Sequence, residues 1–451
     1  MSDSATCSSS VFAAGHLGEL TAVVPPEMVD AALESAGGKE QRQRRLPSRV
    51  VVYLLLAGVL FADQGWRQVW DRLTGGLGTP VRPPSRSSIT EAMRRVGARP
   101  LRELFTLLAG PAAAEASAAV RFAGRLVVAI DGTQIPVADT EANRVVFPKP
   151  RPGPNGEAGY PFLRMVTIIA CGTRSVIEAS FGTDQTGELT YARRLIGSLR
   201  PGMLLLGDRN FAAYQLFTAI TDTGADFLLR AKTGTTAMNL PVRERLCDGS
   251  FLTSARGRTV RVIDAAITVT TDAKTTTSPY RLITTLLDPG QAPALALVRL
   301  YHQRWEIETS YCELKSAILG GRVLRGRYPA AITQELWAIL VAYQALRIAI
   351  ADTALVRPGI DPARLSFTIA LNTARDQVIR AANTLSDITV DLVGRIGAAL
   401  LADILPARRT RTRQRVIKRA ISKYRAKGRD VDRRTYPATL RTTILTTNPN
   451  T

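Results

Sequence analysis

The spacing of apolar positions changes period along the chain. Between residues 50 and 110 it is helical. Leu54, Leu55, Val59 and Leu60 recur within "VVVYLLLAGVLFA" (50–62), and Trp66, Val69, Trp70 and Leu73 do so in a second segment. "SSITEAMRRVGARP" predicts a third helix, with a capping box at Ser88 and Glu91 and a stop at Gly97 and Pro100. "LRELFTLLAG" predicts a fourth. Residues 1–40 read as poorly ordered.

From residue 125 short buried strands take over. "RLVVAID", "FLRMVTIIACG", "RSVIEASFG", "GMLLLGD" and "DFLLRAK" predict strands, and "ELTYARRLIGSL" and "AAYQLFTAIT" predict helices between the later ones. "NRVVFPKPRPGPNGEAGYP" reads as a Pro/Gly-rich loop. Three strands followed by helix, strand, helix, strand predict a mixed sheet in an α/β or α+β core. Residues 233–290 are rich in Thr, Ser and β-branched runs and predict an all-β insertion. Helices resume after Pro293 and continue, with breaks, to about residue 400. The expected organisation is an N-terminal segment (1–40), a helical N-terminal DNA-binding domain (41–120), a core in two parts (121–232 and 291–350) around the β insertion (233–290), and a helical, basic C-terminal region (351–451).

Two apolar stretches bear on membranes. Residues 50–62 are too short to span a bilayer, and the stretch from 330 carries Gln, Glu and Arg at intervals, so both predict buried core helices. The first residues lack the basic and apolar regions of a signal peptide.

Charge narrows the partner. The chain of 451 residues carries a formal net charge of +21. The final 46 residues hold 14 Lys or Arg against two Asp and so supply +12 of it. Such an imbalance points to a polyanion, most often nucleic acid. Four scattered cysteines argue against a zinc or disulfide framework and fit a reducing cytoplasm, where a nucleoid association is expected. His16 and His302 are the only histidines, so a metal here would need oxygen ligands, which favours Mg²⁺ or Mn²⁺.

The stretch "RLYHQRWEIETSYCELKSAI" (299–318) concentrates the candidate chemistry. On a uniform helix over 294–318, Tyr301, Arg304, Glu308 and Lys315 share an arc of roughly 60°, with Glu306 and Glu313 on the opposite side. One reading is an ordinary helix with salt bridges at i,i+4, such as Arg304 with Glu308. The other is a face built for a DNA end, with cations for phosphates and a carboxylate for a metal. One carboxylate is too few. Asp131 in "LVVAIDGT" and Asp208 in "MLLLGDRNF" each end a predicted buried strand, at the sheet edge where ligands gather. Strand ends also carry Asp as turn residues. Three converging carboxylates could hold two divalent ions for in-line displacement at phosphorus.

Tyr301-x2-Arg304-x3-Glu308-x6-Lys315 resembles the Y-R-E-K signature of the insertion-sequence DDE transposases of family four (the IS-four type). Asp131 in "IDGT" and Asp208 in "GDRNF" resemble the family's two aspartate motifs, and the order of Asp, Asp, β-rich insertion and glutamate helix is similar. The resemblance, over roughly 40–350, implies an RNase H-like catalytic core interrupted by a β insertion, and metal-dependent cleavage at transposon ends followed by strand transfer. It implies Asp131, Asp208 and Glu308 as metal ligands, with two Mg²⁺ or Mn²⁺ ions as cofactors. It implies contacts to the DNA end from Tyr301, Arg304 and Lys315. The partners it implies are the terminal inverted repeats and target DNA, with a homodimer in the synaptic complex and no membrane.

Some members of the family stack a Trp of the insertion on a flipped base. No Trp lies in 233–290 here, so Phe251 or Tyr280 would substitute. Trp305 reads as core more readily than as base-stacking, but it lies beside the active stripe and is kept, with Arg209, among the candidate DNA-binding residues. Arg209 and Lys232 follow strand ends and would touch phosphate or cap the sheet. Two other functions fit the same residues: a repurposed DNA-binding protein without catalysis, and a metal-dependent nuclease without strand transfer.

Overall fold

The computed structural model describes residues 17–37, 44–75, 82–110, 119–152, 159–233, 237–357, 359–380, 394–407, 410–413, 432 and 434–445. Six helices come first: α1 (Leu20–Val23), α2 (Pro26–Ser35), α3 (Ser48–Leu60), α4 (Trp66–Thr74), α5 (Arg86–Val96) and α6 (Arg99–Ala109). The sheet region holds β1 (Arg121–Phe122), β2 (Arg125–Pro136), α7 (Glu141–Val146), β3 (Phe162–Ala170), β4 (Val176–Thr183), α8 (Glu188–Leu195), β5 (Met203–Gly207), α9 (Tyr214–Asp222) and β6 (Asp226–Arg230). The insertion contributes β7 (Glu244–Arg245), β8 (Phe251–Ala255), β9 (Arg258–Thr270) and β10 (Thr275–Thr284). Then come α10 (Ala294–Leu300), α11 (Trp305–Cys312), α12 (Pro329–Val356), α13 (Phe367–Arg380), α14 (Gly394–Ala402), β11 (Arg411–Arg413), β12 (Thr435–Pro437) and β13 (Thr439–Ile444).

The main sheet runs in the order β4-β3-β2-β5-β6-β10-β9-β8-β7. β2, β3 and β4 are antiparallel, whereas β2, β5 and β6 are parallel. Its central strands are buried on both faces, which explains their near-continuous apolar runs. Leu126, Val128 and Ile130 face one core with residues of α8 and α9. Val127 and Ala129 face the other, with residues of α11, α12 and the N-terminal helices. The alternation then carries Asp131 to the α11 side and Gly132 to the α8 side.

α12 is the central helix of the second layer and packs on α6 and α3. It is long and apolar enough to cross a bilayer, but 67% of its apolar window is buried inside the protein. α3 is buried along nearly its whole length. Both match the expected core helices.

Several local expectations are corrected. Residues 20–35 were expected to be poorly ordered but form α1 and α2, because Leu20, Val24, Val29 and Leu33 bury against the helical layer. The cap of α5 is Ser85, whose hydroxyl accepts from the backbone N–H of Ser88, so the helix starts before the predicted capping box at Ser88 and Glu91. Residues 143–146, read as the start of a loop, belong to α7, which sits behind a Thr140 cap that accepts from the Asn143 N–H. Among the described residues of 233–290 the regular elements before the final turn are the strands β7 to β10. β10 pairs with β6 (Leu282 opposite Arg230) and extends the core sheet.

The expected helical C-terminal region holds among the described residues only to α14. β13 then pairs along the outer half of β9, from Thr439 opposite Thr270 to Ile444 opposite Ala265. An alternating Thr-rich segment satisfies an otherwise open strand edge there.

Candidate active site

The two aspartates reach the site on neighbouring parallel strands. Ile130 pairs with Gly207, and Asp131 and Asp208 are the next residue on each. β5 ends at Gly207, where a turn begins: the Asp208 carboxylate accepts from the Asn210 N–H at 2.8 Å, and its carbonyl accepts from the Phe211 N–H. Asp131 is not at a strand tip as expected. β2 runs on to Pro136, paired with β3 alone, so Asp131 borders the gap that β5 leaves. A Cβ at Gly207 would come within 2.7 Å of the Leu229 Cδ2, so a larger residue would have to push that side chain aside.

The third carboxylate comes from the segment expected as one uniform helix over 294–318. That expectation is corrected. The path winds tightly as a 3₁₀ turn at Tyr301–Arg304 and widens to a π-helix at Glu313–Ile318. Tertiary contacts sit at both places, Tyr301 to Gly207 and Glu313 to Arg174 and Arg347. The predicted stripe nevertheless faces the strands. The Tyr301 hydroxyl donates to the Gly207 carbonyl at 2.9 Å. Arg304 donates to Asp131 at 3.3 Å and to Glu308 at 2.8 Å. Lys315 donates to the Thr133 hydroxyl at 2.7 Å. Glu306 and Glu313 point to the rear, as expected. Both bind the buried Arg174, and Glu313 also binds the fully buried Arg347 and the Tyr343 hydroxyl. This ionic layer holds the glutamate helix against β4 and α12.

Electrostatics mark the same spot. Burial pushes the Asp131 carboxyl up to about 7, with the Asp208 and Glu308 charges adding to the rise and the Gly132 N–H and Arg304 opposing it. Burial also disfavours the Arg304 charge, but Tyr301, Glu308 and Asp131 hold its pKa above the ordinary arginine value. Among the described residues no three Asp, Glu, His or Cys side chains close around one point. Asp131 and Glu308 instead share the guanidinium of Arg304, a cation between two carboxylates. Carboxylate oxygens flanking a common positive charge suit a hard divalent ion.

Other predicted residues fall on either side of this centre. Tyr301, expected at the DNA end, is 4% exposed and its hydroxyl is tied inward to the Gly207 carbonyl. Trp305, expected in the core, is 56% exposed beside Arg304. Arg209 and Lys232 are exposed. Phe251 is buried in the core and unavailable for stacking. Tyr280 lies under the Arg230 guanidinium at 4.2 Å and edge-on to Tyr301 at 5.6 Å, joining the insertion to the signature segment.

Three neighbours were not anticipated from sequence. Tyr311 donates to the Asp131 carbonyl at 2.6 Å, Thr133 receives Lys315, and Glu188 approaches Gly132 and Asn210. Tyr311 carries a signal, since it lies three residues after Glu308 on the same helix face.

Two family models match the chain. Residues 14–106 match the insertion element 4 transposase N-terminal family, and residues 122–345 match the transposase DDE domain, which contains all three carboxylates. The chain belongs to the insertion-element-4 DDE transposases. Such a transposase acts on DNA and depends on a divalent metal. It is 29% identical over 422 residues to the transposase InsG for insertion sequence element IS4 of Escherichia coli strain K12, covering 88% of this chain and 91% of InsG. The InsZ protein of the same strain is 23% identical over 203 residues, covering 45% of this transposase and 67% of InsZ. The y4zB protein of Sinorhizobium fredii is 29% identical over 165 residues, covering 34% and 44%.

Proposed function

We propose that this transposase cuts DNA at the ends of its element and joins those ends to a target, a cut-and-paste reaction in an RNase H-like core. Asp131, Asp208 and Glu308 would hold two divalent ions, Mg²⁺ or Mn²⁺. The single observation that carries this reading is the Arg304 guanidinium shared by Asp131 and Glu308, beside the strand pair that carries Asp131 and Asp208. When bound, the ions activate a water or a 3′-hydroxyl and stabilise the departing oxygen.

The chain's own groups do the rest. Arg304 bridges Asp131 and Glu308 and would be free to contact a phosphate once ions occupied the carboxylates. Lys315 and Arg209 add phosphate contacts, Trp305 offers an aromatic face to a base, and Tyr301 braces the site from within. The terminal repeats would be held by the helical N-terminal layer and the basic C-terminal region. Two ends require two active sites, so a homodimer in a synaptic complex is the working assembly, in the cytoplasm on the nucleoid. The 414–431 part of the basic region lies outside the described residues.

Incubation with labelled duplexes of the element's own terminus, a supercoiled target plasmid and Mg²⁺ tests this reading. Joined end–plasmid products support it. Cleaved ends without joining would indicate a nuclease, and binding without cleavage a repurposed DNA-binding protein.

A further inference from the structure

Glu188 stands behind the candidate centre and belongs to none of the motifs that define it. It opens α8, on the sheet face opposite Asp131, where α8 packs on β3 and β4. Its side chain reaches the sheet at Gly132. A Cβ at position 132 would overlap the Glu188 carboxylate, so glycine at this point of β2 makes room for it. The other carboxylate oxygen accepts from the Asn210 side-chain amide at 3.4 Å, while the Asn210 backbone N–H donates to Asp208. The Arg164 guanidinium lies 3.8 Å from the first oxygen. Glu188 therefore touches the residue after Asp131 and the residue that shapes the turn at Asp208.

Among the described residues no hydrogen bond joins the two aspartates, and the strand register that brings them side by side ends at Gly207. Past that point β2 continues and β5 turns away. The ladder sets Ile130 opposite Gly207 but pairs no β5 residue beyond that point. A group spanning Gly132 and Asn210 supplies a constraint there from the rear, where it cannot compete for an ion on the Asp131 face.

We propose that Glu188 is a positioning residue for the catalytic centre, holding the strand of Asp131 and the turn of Asp208 at a fixed separation through Gly132 and Asn210. This rests on the assignment of Asp131 and Asp208 as metal ligands. The role requires an acceptor oxygen at this place, not a negative charge directed at an ion.

The test is Mn²⁺ binding to the full-length protein by electron paramagnetic resonance, together with the Mn²⁺ concentration for half-maximal cleavage of a terminal duplex. Glu188→Ala and Asn210→Ala should each weaken Mn²⁺ binding by about tenfold and raise the half-maximal concentration equally, in the range usual for groups that orient metal ligands. Glu188→Gln keeps the acceptor and should stay within about threefold of wild type. Gly132→Ala, which displaces the carboxylate, should behave like Glu188→Ala. Wild-type binding by both alanine variants would overturn the proposal. A Gln variant as weak as the Ala variant would overturn it too, because charge rather than geometry would then matter. If Glu188→Ala does not fold, the Gln variant and Asn210→Ala decide the matter. Asp208→Asn serves as the reference: unchanged Mn²⁺ binding there would mean that the metal-ligand assignment itself is wrong.

Discussion

The Tyr301 hydroxyl donates to the Gly207 carbonyl at 2.9 Å, so the first residue of the signature segment is tied to the peptide that leads into Asp208. The glutamate helix and the second aspartate strand are thereby fastened to each other inside the protein, away from solvent. Tyr301→Phe removes this buried hydrogen bond. It should cost about 1–2 kcal/mol in urea unfolding and slow end cleavage while leaving DNA affinity unchanged. A loss of DNA affinity at unchanged stability would show that the side chain reaches DNA after all.

Arg304 ion-pairs with both Asp131 and Glu308. Arg304→Gln should therefore lower the melting temperature of the metal-free protein, by about 1–3 kcal/mol in stability, because two carboxylates are left facing each other. Millimolar Mg²⁺ should restore much of that loss by supplying the missing charge. Equal destabilisation with and without Mg²⁺ would separate Arg304 from the ion site.

The Asp131 carboxyl has a pKa of about 7, raised chiefly by burial and further by its acidic neighbours. The sign follows from linkage. A carboxyl whose folded pKa lies above its unfolded value favours the folded state at low pH, and that contribution is lost as pH rises from about 4 through 7. Metal-free Asp131→Asn should thus gain stability relative to wild type between pH 4 and 8, by an amount on the order of 1–3 kcal/mol. Chemical denaturation at the two pH values in the presence of a chelator measures it. A difference that does not change with pH would contradict a raised Asp131.

Behind the glutamate helix, Arg174 binds Glu306 and Glu313 with only 4% of its side chain exposed. Removing one member leaves charges buried without their partner. Arg174→Met should cost about 3–5 kcal/mol, and adding Glu306→Gln and Glu313→Gln should cost much less than the sum of the single changes. Additive losses would mean that the three residues do not act as one network.

Trp305 offers the converse case. Its side chain is largely exposed, so Trp305→Ala should change stability by less than about 0.5 kcal/mol. Binding of a terminal duplex with a frayed end should weaken by about 1–3 kcal/mol if the indole stacks on a base. Fluorescence anisotropy measures this.

How much of this was legible in the sequence depends on what fixes each feature. The core strands and helices follow from local periodicity, and "RLVVAID", "GMLLLGD" and "DFLLRAK" lie in β2, β5 and β6. The facing of Arg304, Glu308 and Lys315 followed from helical spacing and survived the changes of pitch, since a tight turn and a wide turn partly offset each other in rotation. The changes themselves were hidden because they answer to distant groups, Gly207 at one end and Arg174 and Arg347 at the other. The core expectation for Trp305 failed because an indole on a helix favours burial in general, whereas α11 buries Glu306 and Ile307 instead. Glu188 and the pairing of β13 with β9 are long-range contacts without a local pattern, and no spacing rule reaches them.

The central claim is that Asp131, Asp208 and Glu308 form one ion-dependent centre for cutting DNA. The most direct measurement is cleavage of a labelled duplex of the element's terminus in Mg²⁺ by wild type, Asp131→Asn, Asp208→Asn and Glu308→Gln, with DNA binding followed in parallel. The prediction is cleavage at the element boundary by wild type only, with binding retained by all four. Cleavage that survives in any of the three variants would place the active site elsewhere.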